Sequence, residues 1–334
     1  MIDEEFRPWG LFPWVCHRLS TKEWSLLGCL STEERCLGVA YNSSKKDVIK
    51  NATFIEVIDP ESYYAELASE KREMFKNELN RIFVGNERVV EMKLFEPAVA
   101  LKIYIQEFIS TSNGNIILDI SSFPKRFFFP IIKDLINSDE VTNLLVTYTL
   151  PIEYYNGCLA EEPKPWDHLP RYQHTNDFPA PVAKNAIIGV GFLPFSLPEL
   201  LKENYPDAIV TLLFPFPPGP PNYQRTWEFV REIERFRPLE RDSQIIRVDV
   251  LDMPGCYQQI CSLGRNGDEH IIFAPYGPKP HSLAMCLYAI RYDCDVFYTQ
   301  PATYHPDYSL GMKYVDDLPE TYAYCLKINN RQIF

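Results

Sequence analysis

The stretch Asn115-Ile116-Ile117-Leu118-Asp119-Ile120-Ser121-Ser122-Phe123-Pro124-Lys125-Arg126 decides how the chain folds. It begins as a short apolar run, turns through two hydroxyls and a proline, and leads into a segment of helical period. An apolar run of this length reads as a strand buried on both faces, the pattern of a parallel sheet whose crossovers are helices. Similar runs lie on either side, at 25–30, 53–58, 88–93 and 143–149. The clearest helix is predicted over 61–83, with Asp59 as its N-cap and Pro60 at its first position; others start near Pro97 and after Pro124. The second half has the same character, with strands at 186–192, 208–214, 245–250, 270–274 and 294–299 and a last one at 321–328. Helices fit 196–204, 222–235, 255–263 and 281–291.

Strand starts at 53, 88, 115 and 143 recur at 208, 245, 270 and 294, offsets of 155, 157, 155 and 151 residues. This regularity predicts an α/β protein of two Rossmann-like parallel-sheet halves related by approximate internal duplication. The expected division is 1–150 for the first half and 186–334 for the second. Between them, 151–185 is rich in proline, lacks periodicity and reads as a linker or functional loop. The run Phe214-Pro215-Phe216-Pro217-Pro218-Gly219-Pro220-Pro221 reads as a rigid crossover loop, with a polyproline II ligand for a partner as the alternative.

Charge and composition narrow the function classes. Lysine plus arginine number 33 against 45 aspartates and glutamates, and the net charge of −12 argues against a general grip on duplex DNA or an anionic membrane. No run approaches a membrane span, and the start carries Asp3, Glu4 and Glu5 in place of a basic, apolar leader, so a cytoplasmic protein is expected. Nine scattered cysteines without a CxxC pair favour reduced thiols. The six histidines are dispersed and show no metal pattern. Neither a Walker A loop nor GxGxxG occurs, Gly189-Val190-Gly191 being only a fragment, and no cofactor is expected.

Two turns carry the candidate chemistry. After the strand at 115–120 come Ser121, Ser122, Pro124 and Lys125; after that at 270–274 come Pro275, Tyr276, Gly277, Pro278, Lys279 and Ser282. Both set a Pro-Lys pair where a strand passes into a helix, with the lysines 154 residues apart. A helix N-terminus offers unpaired N–H groups and the positive end of its dipole, and a lysine there adds a full charge, so the turns suit phosphate. Asp119 is read as an acceptor for a ribose hydroxyl. The plainer alternative is a capped helix with a solvated lysine. Ser31-Thr32-Glu33-Glu34-Arg35, after the first strand, places Arg35 at the same crevice, or else makes a capping box of Ser31 and Glu34. Tyr276 and Tyr304 are candidates for stacking on a base.

The string Leu118-Asp119-Ile120-Ser121-Ser122-Phe123-Pro124-Lys125 resembles the signature of CARF domains, Rossmann-like sensors of cyclic oligonucleotides in prokaryotic antiviral defence. Asp119, Ser121 and Lys125 match the family's acidic or amide, hydroxyl and lysine positions, while Ser122 and Phe123 stand where it has a glycine pair. Lys279 and Gly277 match in the second half, and two such units in one chain resemble SAVED domains. The resemblance implies a sensor that binds a nucleotide or cyclic oligonucleotide between the halves and acts through an effector protein in trans or by homo-oligomerisation. The residues alone leave two other readings open. One is an enzyme acting on a phosphorylated or nucleoside substrate, such as a phosphodiesterase, with Glu33, Glu34, Asp119 or His281 as acid or base. The other is a protein-interaction scaffold. Lys125 and Lys279 are read as exposed, with little weight in stability.

Overall fold

The apolar runs become strands, and their lack of polar alternation follows from helices covering both faces of the sheet. A computed structural model describes residues 7–19, 23–44, 48–174, 182–217, 222–236, 238 and 244–334 of the protein. Its first part comprises β1 (Trp9–Leu11), α1 (Phe12–Arg18), β2 (Trp24–Leu30), a 3-10 turn (Glu34–Leu37), α2 (Gly38–Ser44), β3 (Ile49–Ile58), α3 (Ala65–Phe83), β4 (Glu87–Lys93), α4 (Ala98–Thr111), β5 (Asn115–Asp119), α5 (Lys125–Asn137) and β6 (Asn143–Thr149). Next come β7 (Asn185–Gly189), α6 (Leu197–Asn204), β8 (Ile209–Phe216), α7 (Asn222–Phe236), β9 (Gln244–Asp249), α8 (Met253–Leu263), β10 (Ile271–Pro275) and α9 (Lys279–Tyr292). The last long strand is β11 (Thr321–Ile328).

These elements sort into two units, Met1–Glu162 with Ala302–Phe334, and Pro163–Pro301. In the first, the sheet order is β1-β11-β6-β5-β2-β3-β4. Strands β2 to β6 run parallel; β11 is antiparallel to β6, and β1 to β11. Starting at the β4 edge, the parallel strands come third, second, first, fourth and fifth in chain order. This is the doubly wound arrangement, and its direction of winding reverses between β2 and β5. Such a reversal opens a crevice at the carboxyl ends of those two strands. The second unit has the parallel order β9-β8-β7-β10, again third, second, first, fourth. The α/β class and parallel sheets match the expectation. The shared order is general to doubly wound sheets and does not itself establish duplication.

Several boundaries differ from the sequence reading. The division at 150 and 186 gives way to one in which 302–334 return to the first unit, because β11 pairs along β6. Part of the expected linker packs within the second unit: Leu169 donates its N–H to Val296, and Val296 donates to Tyr172. Those bonds occupy the backbone where a strand at 294–299 was expected, leaving only Phe297–Tyr298, antiparallel to Asp167–His168, and one parallel bridge from Val296 to Phe273. Helix α3 starts at Ala65, not after Asp59, because Ser62 makes the entry turn, its carbonyl accepting from the Ala65 N–H and its hydroxyl from that of Tyr64. Phe214–Phe216 end β8, and 218–221 lie outside the described residues.

The return strand is core. Ala323, Tyr324 and Cys325 are fully buried, and the Tyr324 ring stacks on Trp9 at 5.9 Å. Tyr324→Ala is expected to cost about 3–5 kcal/mol, the range for deleting a large buried ring. A lowered urea midpoint would register it; an unchanged midpoint would mean β11 adds nothing to the first unit.

Candidate functional site

At the carboxyl end of β5 the chain must turn sharply into α5, and buried hydrogen bonds set that turn. Asp119 Oδ1 accepts from the Ser121 N–H at 3.0 Å, from the Ser121 hydroxyl, and from Thr147 Oγ1 at 3.4 Å. Ser121 Oγ in turn accepts the Thr149 N–H at 2.8 Å, binding the end of β5 to that of β6. Ser122 donates to the Cys29 carbonyl on β2 at 2.9 Å. Asp119 and Ser121 are 2% and 0% exposed, so these residues, read from sequence as ligand contacts, build the floor of the crevice. Pro124 then serves as N-cap and Lys125 as the first residue of α5.

The turn after β2 supplies the second cation. Ser31 Oγ accepts from the Glu33 N–H at 3.0 Å, so the expected capping box with Glu34 does not form. Arg35, 3% exposed, donates from Nε and Nη2 to Glu33 Oε2 at 2.9 and 2.7 Å. Burial is the largest single effect and works against the guanidinium charge, but Glu33 and the Tyr148 and Tyr154 phenols together outweigh it, and Arg35 is held above its ordinary value. Lys125 lies close enough to feel Arg35. Burial first, and then the Arg35 charge, bring its pKa down from 10.5 to about 7. The half-buried Lys125 is therefore not the solvated lysine read from the sequence. Glu34 sits by Tyr41 and Tyr314, where it adds to the effect of burial in raising both phenols.

A ladder of rings leads away from Arg35. Its guanidinium lies over the Tyr148 ring at 5.7 Å, and the Tyr148 and Tyr154 hydroxyls are 3.3 Å apart. Tyr154 meets Tyr308 edge-on at 6.0 Å, and Tyr308 meets Tyr304 at the same distance. The sequence placed Tyr304 with the second half; it belongs to the first unit. The segment 302–309 is strapped down at several points. Ser309 donates to Glu33, Lys71 pairs with Asp307, and His305 stacks on Tyr155 at 3.9 Å and meets Tyr64 edge-on at 4.9 Å. At the end of β3, Asp59 is raised to about 6 by burial, with Arg72 pulling the other way.

The second Pro-Lys turn has the same backbone form, Pro278 as N-cap and Lys279 opening α9. Its other candidates turn inward. The Tyr276 hydroxyl donates to Thr299 Oγ1 at 2.9 Å and accepts the Thr299 N–H at 3.0 Å. Ser282 is fully buried and donates to the Pro278 carbonyl at 3.1 Å. His281, also fully buried, has Nε2 2.8 Å from the Asp249 carbonyl, and burial lowers its pKa; it is core, not an accessible acid or base. Gly277 allows close backbone packing, since a Cβ there would lie 3.1 Å from the Gly189 carbonyl carbon. Lys279 thus stands among buried neighbours, whereas Lys125 shares its crevice with Arg35.

One cluster has no signal in the sequence. His168, His174 and His270 gather on Asp295, whose oxygens lie 3.1 Å from His168 Nε2 and 3.5 Å from His270 Nε2 and accept the His174 N–H at 2.8 Å. Burial opposes the Asp295 charge, but these bonds win and hold its carboxyl well below the usual carboxylate range. Among the described residues no group of three or more His, Cys, Asp or Glu is arranged to hold a metal ion, and no helix is long and apolar enough to cross a membrane.

No family model matches the chain, and no curated protein matches it. Among solved structures the chain is similar to a protein described as a universal stress protein from Pseudomonas aeruginosa UCBPP-PA14, at 10% identity over 86% of this chain and 95% of that one, with a TM-score of 0.25. It is also similar to a ketoreductase domain from the bacillaene assembly line, at 12% identity over 80% of this chain and 64% of that one, with a TM-score of 0.21. Likeness at this level carries nothing about function.

Two outcomes follow from the geometry. Ser121→Ala leaves Asp119 and the Thr149 N–H short of a partner and is expected to cost about 1–3 kcal/mol in a denaturant titration. Lys125 holds its proton up to about pH 7 when folded and up to about 10.5 when unfolded. Below pH 7 both states are protonated and the cost of the buried charge is fully present; from 7 to 10.5 only the unfolded chain keeps the proton, so this group's contribution shifts toward the folded state as pH rises. Lys125→Met is therefore expected to raise the melting temperature at pH 6, with a gain that shrinks between pH 7 and 10. A lowered melting temperature at pH 6 would refute the assigned cost.

Proposed function

We propose that the first unit binds a nucleotide at the carboxyl ends of β2 and β5, with phosphate on Lys125 at the start of α5, beside the buried Arg35–Glu33 pair, and a base against the ring ladder ending in Tyr304. The observation that carries this reading is the convergence of two desolvated cations and the N-terminus of α5 on the point where the sheet reverses its winding. Arg35 already has Glu33 as its counter-charge and adds positive field to the crevice, where an ammonium poorly served by water gains from an anion. A sensor of the CARF and SAVED kind, binding a cyclic oligonucleotide and acting through a partner protein or a second copy, is the form of nucleotide binding that the signature around Asp119 to Lys125 favours.

Binding is favoured over turnover because the candidate acids and bases are engaged: Glu33 is held by Arg35 and Ser309, and His281 is buried. A hydrolytic reading has one observation on its side, the Asp59 carboxyl at the end of β3 with a pKa of about 6, suited to moving a proton near neutral pH.

A thermal-shift screen against mononucleotides, linear dinucleotides and cyclic oligonucleotides tests both. A bound ligand is expected to raise the melting temperature. Lys125→Met is expected to weaken it about ten- to a hundredfold, the worth of one charge-assisted hydrogen bond. A flat screen with folded protein would overturn the proposal. Chromatography of the incubated ligand separates the two forms: intact ligand supports the sensor, and cleavage lost in Asp59→Asn supports the enzyme.

A further inference from the structure

We infer that two copies of the chain pair edge to edge through β4, antiparallel about a two-fold axis at Val90, so that their first-unit sheets become one. Among the described residues β4 ends the sheet order, with β3 on one side and no strand on the other. An edge of seven residues without a neighbour is a template for another chain. Backbone bonds fix which groups it offers. The Asn86 carbonyl accepts from the Ala52 N–H on β3, and the Leu94 N–H donates to Ile58, so the even-numbered residues face β3. Along a strand the N–H and C=O of one residue point to one side and those of the next to the other. Glu87, Val89, Glu91 and Lys93 therefore turn theirs outward.

Charge then selects the register. With the axis at Val90, Val89 stands opposite Glu91 of the other copy and Glu87 opposite Lys93, each pair occurring twice by symmetry. The Lys93 carbonyl already accepts from the Glu96 N–H, so the two strands exchange about six backbone bonds. An axis at Val89 or Glu91 sets glutamate against glutamate, and one at Arg88 sets arginine against arginine, which is destabilising. An axis at Met92 puts Val89 opposite Phe95, past the end of the strand. Glu87 Oε2 is enclosed yet has no hydrogen-bond partner among the described residues, a costly state for a carboxylate oxygen. The exposed Lys93 of the other copy stands across from that side chain. On the opposite face Val90 meets itself, and Met92 meets the stem of Arg88, whose guanidinium is held by Glu107. Past the strand ends, the exposed Val84 of one copy and Phe95 of the other come to the same end of the pair.

Pairing of this kind needs no nucleotide, so it stands or falls apart from the crevice. Sedimentation equilibrium of the full chain tests it. The expected result is a species of twice the 38.9 kDa chain mass, its share rising with concentration. Glu87→Lys and Lys93→Glu each set like charges opposite one another at both ends, and each alone is expected to weaken self-association about tenfold. An equal mixture of the two variants restores opposite charges at both ends and is expected to recover the dimer. Val89→Pro removes an outward N–H and is expected to abolish the dimer while the far-ultraviolet circular dichroism stays unchanged. A wild-type chain that remains monomeric at high micromolar concentration overturns the inference. So does a dimer that all three variants leave intact, or a mixture of folded charge variants that stays monomeric. Should a charge variant fail to fold, Val89→Pro decides: loss of the dimer supports pairing through β4, and an unchanged dimer refutes it.

Discussion

The Ser121 hydroxyl is the hinge pin of the first unit. It gives its proton to Asp119 and takes that of the Thr149 amide, so the end of β5 cannot move without β6. Thr149 is bonded through its own hydroxyl to Thr321 on β11 at 2.8 Å, and Asn42 on α2 reaches the same threonine at 3.0 Å. Gly38 at the start of α2 admits this contact, since a Cβ there would fall 2.2 Å from Thr149 Oγ1. Four elements are thereby locked by short polar side chains in a dry interior, where each such bond is strong and each missing one expensive. The start of α5, and with it the place of Lys125, is a consequence of that lock.

Above this floor the side chains change character. Arg35 is buried yet charged, kept so by Glu33, and Ser309 steadies the carboxylate. The rings of Tyr148, Tyr154, Tyr308 and Tyr304 form a chain of contacts that begins at the guanidinium. A flat, weakly hydrated cation thus lies over the Tyr148 ring, and beyond Tyr154 the rings meet edge-on.

Much of this was legible in the chain itself. Buried parallel strands announce themselves as unbroken apolar runs, and both helices that begin at a Pro-Lys pair were placed to within two residues of their starts. The position of Arg35 and Lys125 followed from strand ends alone, because parallel strands gather their carboxyl ends on one edge. The direction in which Asp119 and Ser121 face could not follow, since an inward and an outward rotamer have the same sequence. Nor could the contributions of Ser309 and Tyr308, which reach Glu33 and Tyr154 across more than 150 residues. The antiparallel return of β11 looks in sequence like any other buried strand, and that is why the second half was drawn to the end of the chain. Histidines at 168, 174 and 270 converge on Asp295 only through tertiary structure.

The return of β11 also sets an order of assembly. The second unit is inserted between β6 and the strand that covers it, so its 139 residues leave the ribosome before the first unit has its full sheet. Domains ordinarily complete themselves from the N-terminus onward during synthesis. Here the later-made unit can finish first, while β6 waits with an open edge and the crevice lacks Tyr304, Tyr308 and Ser309. A nascent or truncated chain would expose that edge to pairing with other chains, and the crevice between β2 and β5 would be among the last parts of the molecule to take shape.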